Sequence, residues 1–148
     1  MNHDAYFDSS VLVAIYVTGA FSTRARAEAL RAGSISFTPL HELEVRNALR
    51  ALSGRRAFTE AQRHELEALI DDDLREHRLA VTPLDFPSVF RRAAKLSAAH
   101  TTRLLCRSLD ILHVAAALEL GATKLISADE RQLGLASAIG LTAVDIRR

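Results

Sequence analysis

Short β-like runs alternate with longer amphipathic segments along the whole of this chain, and helical segments keep the apolar runs too far apart to pair as hairpins. Strands separated in this way must pair in parallel with right-handed crossovers, so the expected fold is α/β, with helices packed on a parallel sheet. Ala5-Tyr6-Phe7 is the first candidate strand, followed by short helices over 11–17 and 23–32, the second stopped by Gly33. Residues 34–38 alternate at period two, and Pro39 opens a helix to about residue 52. After a turn at Gly54-Arg55-Arg56, Thr59 and Gln62 have capping-box spacing for a helix to about Glu76. Residues 79–82 read as a strand closed by Pro83, and 88–99 as a helix. Asp110 is placed to cap a helix over 111–120, ended by Gly121; 124–127 is a strand, 130–138 a helix and 143–144 a terminal strand.

A length of 148 residues, 49% of them hydrophobic, suits one domain with a real core and leaves little for a second. The net charge of +1 excludes a strongly basic nucleic-acid binder. Of 19 basic residues only Lys95 and Lys124 are lysine, a skew that genome composition explains as readily as phosphate binding. The lone Cys106 cannot form an internal disulfide, and Met1-Asn2-His3-Asp4 lacks the basic start of a signal peptide, so a cytoplasmic protein is expected. No apolar run approaches the roughly 20 residues of a membrane span.

Four carboxylates stand where the chain looks least like structural filler. Asp8 and Asp129 each follow an apolar run directly, Glu44 lies in the first half of the helix from Pro39, and Asp110 heads the helix over 111–120. Ligands of open parallel sheets bind beyond the carboxyl ends of the strands, where all four acids can converge. Their mutual repulsion is tolerable only around a cation. That points to metal-dependent phosphodiester chemistry. Singly, each has a plainer reading: Asp110 and Asp129 as helix N-caps, Asp8 as a turn or cap, and Glu44 as a partner of Arg46 or Arg50. The joint pattern carries the argument.

The stretches Ala-Tyr-Phe-Asp-Ser-Ser-Val-Leu-Val, Glu-Leu-Glu-Val-Arg-Asn-Ala-Leu, Arg-Ser-Leu-Asp-Ile-Leu-His-Val-Ala-Ala-Ala-Leu and Leu-Ile-Ser-Ala-Asp-Glu-Arg-Gln-Leu resemble, in order, the acidic motifs of the PIN domain. The length and the Ala-rich stretch after Asp110 are similar to the VapC toxins of bacterial VapBC toxin–antitoxin pairs. The resemblance implies a PIN-like α/β/α sandwich with a parallel sheet of about five strands flanked by helices. It further implies a Mg²⁺- or Mn²⁺-dependent endoribonuclease, a homodimer and a cognate VapB-like antitoxin, with DNA met only through that antitoxin. The family's acids map onto Asp8, Glu44, Asp110 and Asp129, its small polar residue after the first acid onto Ser10, and the polar residue after its Glu onto Asn47. Ser127 stands where the family often has Thr, and Glu42 faces another side of its helix from Glu44.

In that reading Asp8 is the central metal ligand, Asp110 and Asp129 bind directly or through water, and Glu44 binds metal or orients the attacking water. Ser10 and Ser127 orient carboxylates, and Asn47 holds substrate or water. Water attack leaves a 5′-phosphate and a 3′-hydroxyl. Arg107 and Arg103 are the nearest candidates for RNA phosphates, ahead of Arg55-Arg56 and Arg91-Arg92. His113, among apolar neighbours, reads as a packed histidine, and Asp71-Asp72-Asp73 point in different directions on one helix. Two alternatives stay open: an acidic phosphoacceptor receiver module, although Lys124 precedes Ile126 where a receiver has its lysine after the last functional strand, and a catalytically silent PIN-like domain.

Overall fold

The computed structural model describes residues 4–148, so the reading of Met1-Asn2-His3 lies outside the described residues. In chain order the elements are β1 (Ala5–Phe7), α1 (Ser9–Tyr16), α2 (Ser22–Ala32), β2 (Ile35–Phe37), α3 (Pro39–Gly54) and α4 (Glu60–Arg75). They continue with β3 (Leu79–Val81), α5 (Phe86–Leu104), α6 (Ser108–Glu119), β4 (Lys124–Ser127), α7 (Glu130–Ala138) and β5 (Thr142–Asp145). These fall into two compact units: residues up to Asp8 with Pro83–Arg148, and Ser9–Thr82.

In the first unit the strands run in the order β1-β4-β5, all parallel, with Phe7 opposite Ile126 and Ile126 opposite Val144. The central strand is the most apolar, and Leu125 and Ile126 are shut from solvent. Helix α6 is buried at every position from 111 to 117, which is why it reads as apolar all round rather than amphipathic. Its alanines let it sit against neighbouring elements without bulk. A polar pair lies inside this core: Tyr6 Oη and His113 Nδ1 are 2.7 Å apart, both almost fully buried. Tyr6→Phe is expected to lower stability by about 1–2 kcal/mol in chemical denaturation, since the apolar ring is kept and only the hydrogen bond is lost. An unchanged midpoint would mean that His113 packs without needing the hydroxyl.

In the second unit β2 pairs in parallel with β3, Phe37 opposite Val81. The strand count and the parallel sense match the sequence expectation, while the hydrogen-bonded ladders are three- and two-stranded. Thr38 caps α3 with Pro39 at its first turn, and the Thr59–Gln62 box caps α4 as its spacing requires. Val11, Leu12, Leu40, Val45 and Leu49 are buried here, and Leu43 is exposed.

Two boundaries differ most from expectation. Helix α5 runs on to Leu104, with Thr102 and Arg103 exposed on its surface instead of ending it, and it stops at Leu105 in the left-handed region. Helix α6 begins at Ser108 with Arg107 at its N-cap, so Asp110 sits within the first turn and is not the cap. No helix among the described residues is long and apolar enough to cross a membrane.

Candidate active site

Asp8 extends the β1 ladder by one bond: its N–H donates to the Ile126 carbonyl at 2.9 Å, which fixes its backbone at the carboxyl edge of the three-stranded sheet. Ser127, the last residue of β4 and fully buried, donates its hydroxyl to Asp8 Oδ2 at 3.2 Å. The same hydroxyl accepts the N–H of Asp129 at 2.9 Å. One buried side chain thus ties the carboxylate of Asp8 to the backbone of Asp129. Both acids stand at this edge because apolar strands end there and the chain must turn out of the sheet.

Asp129 is also a helix cap. Its Oδ1 accepts the Gln132 N–H at 2.9 Å, the plainer of its two sequence readings, while Oδ2 lies 3.6 Å from Arg107 Nη2. Arg107 Nε is 3.5 Å from Asp110 Oδ2, so this largely exposed arginine spans two carboxylates at the outer limit of ion pairing. Such exposed contacts are weak and easily exchanged.

Asp110 is the most telling member. Its Oδ2 is buried and has no hydrogen-bond partner among the described residues. Burial pushes its carboxyl above the ordinary aspartate value, and the negative charges of Asp129 and Asp8 push it further the same way, with Arg107 and His113 opposing. Asp8, Asp110 and Asp129 therefore share one electrostatic field with a surplus of negative charge. Nearby Cys106 is buried and pushed up by burial and by Asp110 and Asp129, which leaves it a poor nucleophile.

Asp145, opposite Ser127 in the β4–β5 register, is a further carboxylate at this edge that the sequence reading did not single out. It is already neutralised: a two-pronged pairing with Arg147, at 2.9 and 2.8 Å, holds its carboxyl down to about 2. Lys124 lies at the opposite end of β4, 3.5 Å from Asp4. It therefore does not stand where a phosphoacceptor site needs its lysine.

In the second unit Glu44 is half-buried on α3 and accepts the Ser9 hydroxyl at 3.0 Å. Arg46 pairs with Glu42 and Asp71, and Arg50 with Glu67, so those two arginines are engaged elsewhere. Ser9, buried and next to Asp8 in the chain, makes this carboxylate contact, whereas Ser10, the sequence candidate, is exposed. Asn47 is exposed on α3, and Arg103 is exposed in the last turn of α5. Asp71, Asp72 and Asp73 are taken by Arg46, Arg75 and Arg78 respectively, each in its own direction.

The donor set at the sheet edge is all carboxylate oxygen, which suits a hard divalent cation. Among the described residues no three His, Cys, Asp or Glu side chains are drawn together as a finished cage. Mg²⁺ does not require one, since it keeps several waters and takes only one or two carboxylates. The Asp110 oxygen without a hydrogen bond and the raised proton affinity of its carboxyl fit such an ion. Compared with known proteins, residues 5–137 match the family model described as PIN domain. No curated protein matches the chain.

Proposed function

The chain belongs to the PIN-domain family, and we propose that it is a Mg²⁺- or Mn²⁺-dependent endoribonuclease that acts as the toxin of a type II toxin–antitoxin pair. PIN domains are generally metal-dependent nucleases, so hydrolysis of a phosphodiester is the coarse expectation for this fold. The observation that supports a metal site is the buried Asp110 oxygen, which has no hydrogen bond and only a long ion pair to Arg107, in the shared field of Asp8 and Asp129. A bound divalent ion supplies a Lewis acid for the phosphoryl oxygen and a water of lowered pKa.

Asp8, with backbone and carboxylate both tethered, is proposed as the central ligand, Asp110 as a ligand through the oxygen that has no hydrogen bond, and Asp129 as a ligand through Oδ2. Ser127 holds two of the three in register. Glu44 is proposed as the fourth acid on the family pattern and on its bond to Ser9, the chain neighbour of Asp8. Ser10 and Asn47 remain proposals for holding water or substrate. Arg107, released from its weak hold on Asp110 and Asp129, has the charge and planar fork to meet an RNA phosphate, with Arg103 as a second contact. The substrate proposed is structured RNA such as tRNA or rRNA.

The toxin assignment rests on the resemblance of the four acidic motifs and the overall length to VapC proteins. It brings a cognate VapB-like antitoxin and a homodimer as proposed partners, in the cytoplasm. Exposed Phe21, Leu30 and Leu43 in the second unit, and Phe90, Leu105 and Leu109 in the first, provide apolar surface for such partners.

The test is cleavage of total bacterial RNA, which contains the natural targets, by purified protein. Activity is expected with Mg²⁺ or Mn²⁺ and none with excess EDTA. Full cleavage in EDTA would sink the proposed chemistry. Expression in the native host without the antitoxin is expected to arrest growth, and unimpaired growth with soluble protein would remove the toxin role and leave the nuclease.

A further inference from the structure

Two places in this chain carry an N-cap followed three residues later by glutamine, and they are used differently. At Thr59 the Gln62 side chain turns back to accept the Thr59 N–H at 2.8 Å, closing the box. At Asp129 the corresponding N–H is already taken by the Ser127 hydroxyl. The Gln132 amide turns instead to the neighbouring helix, and its Nε2 donates to the backbone carbonyl of Asp110 at 3.3 Å. Its own N–H meanwhile donates to Asp129 Oδ1 at 2.9 Å. A single residue therefore grips the backbone of one acid and the carboxylate of another.

We propose that Gln132 is a positioning residue that sets the spacing of Asp110 and Asp129 for a divalent cation, an inference that rests on the nuclease reading above. Gln132 is fully buried, and its Oε1 has no hydrogen-bond partner among the described residues. A buried acceptor without a donor is unfavourable, and an apolar side chain of similar size would spare the fold that penalty. The amide cannot be reversed to relieve it, because Oε1 would then face the Asp110 carbonyl oxygen. Stability alone does not call for glutamine here. Its donor to Asp110 is what an apolar residue lacks, and that donor joins α6 to α7 at the two acids.

The experiment compares wild type with Gln132→Met and Gln132→Leu, using Mn²⁺ itself as the probe. Mn²⁺ binding is followed by electron paramagnetic resonance, thermal unfolding is measured in EDTA, and kcat and KM are measured on RNA. Both variants are expected to melt at or above the wild-type temperature. They should bind Mn²⁺ about tenfold more weakly and lose about tenfold or more in kcat at unchanged KM, the size of effect known for groups that orient metal ligands. A folded variant with wild-type Mn²⁺ affinity and kcat would overturn the positioning role and leave the nuclease reading standing. Failure of both variants to fold would overturn it too, by making Gln132 a requirement of the fold. Wild-type protein that binds no Mn²⁺ would overturn both this inference and the reading beneath it.

Discussion

Asp110→Asn is expected to abolish most RNA cleavage, by about a hundredfold or more, and at the same time to stabilise the metal-free protein at neutral pH. The loss exceeds the tenfold to hundredfold typical of outer-shell groups because Asp110 itself is the proposed ligand. The gain follows from its surroundings. Burial and the charges of Asp129 and Asp8 raise its carboxyl above the ordinary 3.8, so the folded chain holds this proton more tightly than the unfolded chain. Between those two values the folded state binds more protons, and stability falls as pH rises through that window. Above it the ionised group destabilises in full; below about the ordinary value both states are protonated and the effect vanishes. Asparagine carries no charge, so its advantage should be greatest at neutral pH and fade as the pH is lowered toward 3.8. Thermal melts in EDTA at the two ends of that range, beside a cleavage assay, measure both effects. Because Arg107 occupies the N-cap, the substitution leaves capping untouched. Retained activity would remove Asp110 from the site, and a lower melting temperature at neutral pH would mean that its charge is compensated.

The second large effect separates two jobs held by one residue. Asp129→Asn keeps an Oδ1 acceptor for the Gln132 N–H, and asparagine caps helices about as well as aspartate. Stability should stay close to wild type while cleavage falls at least tenfold, since the charge on Oδ2 is lost. Asp129→Ala removes the cap as well and is expected to lose about 1 kcal/mol of stability in addition to activity. Urea denaturation and RNA cleavage on the same preparations distinguish the cases. Wild-type cleavage by Asp129→Asn would reduce Asp129 to a cap. Equal stability of the Asn and Ala variants would show that the cap contributes nothing.

Much of this architecture is readable from spacing. Alternating apolar runs and amphipathic segments demand parallel strands, and Thr59 with Gln62 announces its helix start. Asp8 and Asp129 declare themselves because each follows an apolar run at a strand end. The helix expected over 88–99 extends to Leu104 in the structure for a local reason: a polar stretch near residue 100 is indistinguishable, in sequence, from the end of a helix and from its solvated face. Asp110 was ambiguous for a similar reason, since aspartate is favoured both as a cap and within the first turn. The start of α6 at Ser108, three residues before the expected one, resolves that, and it leaves Asp110 Oδ2 without the hydrogen bond a cap would have.

The order of elements, the parallel sense of the strands and the chain positions of the acids were accessible from local pattern, because backbone preferences and caps act over three or four residues. Partner choice was not. Ser9 and Ser10 are chemically alike and adjacent, yet a rotation of about 100° along the helix buries one, within hydrogen-bond reach of Glu44 35 residues away, and puts the other on an exposed face. Ser127 reaches Asp8 across 119 residues, and the same hydroxyl accepts the Asp129 N–H, the donor that Gln132 would need to close a box as Gln62 does. Such choices depend on where packed helices and strands place hydrogen-bonding groups in space, and spacing along the chain does not contain that geometry.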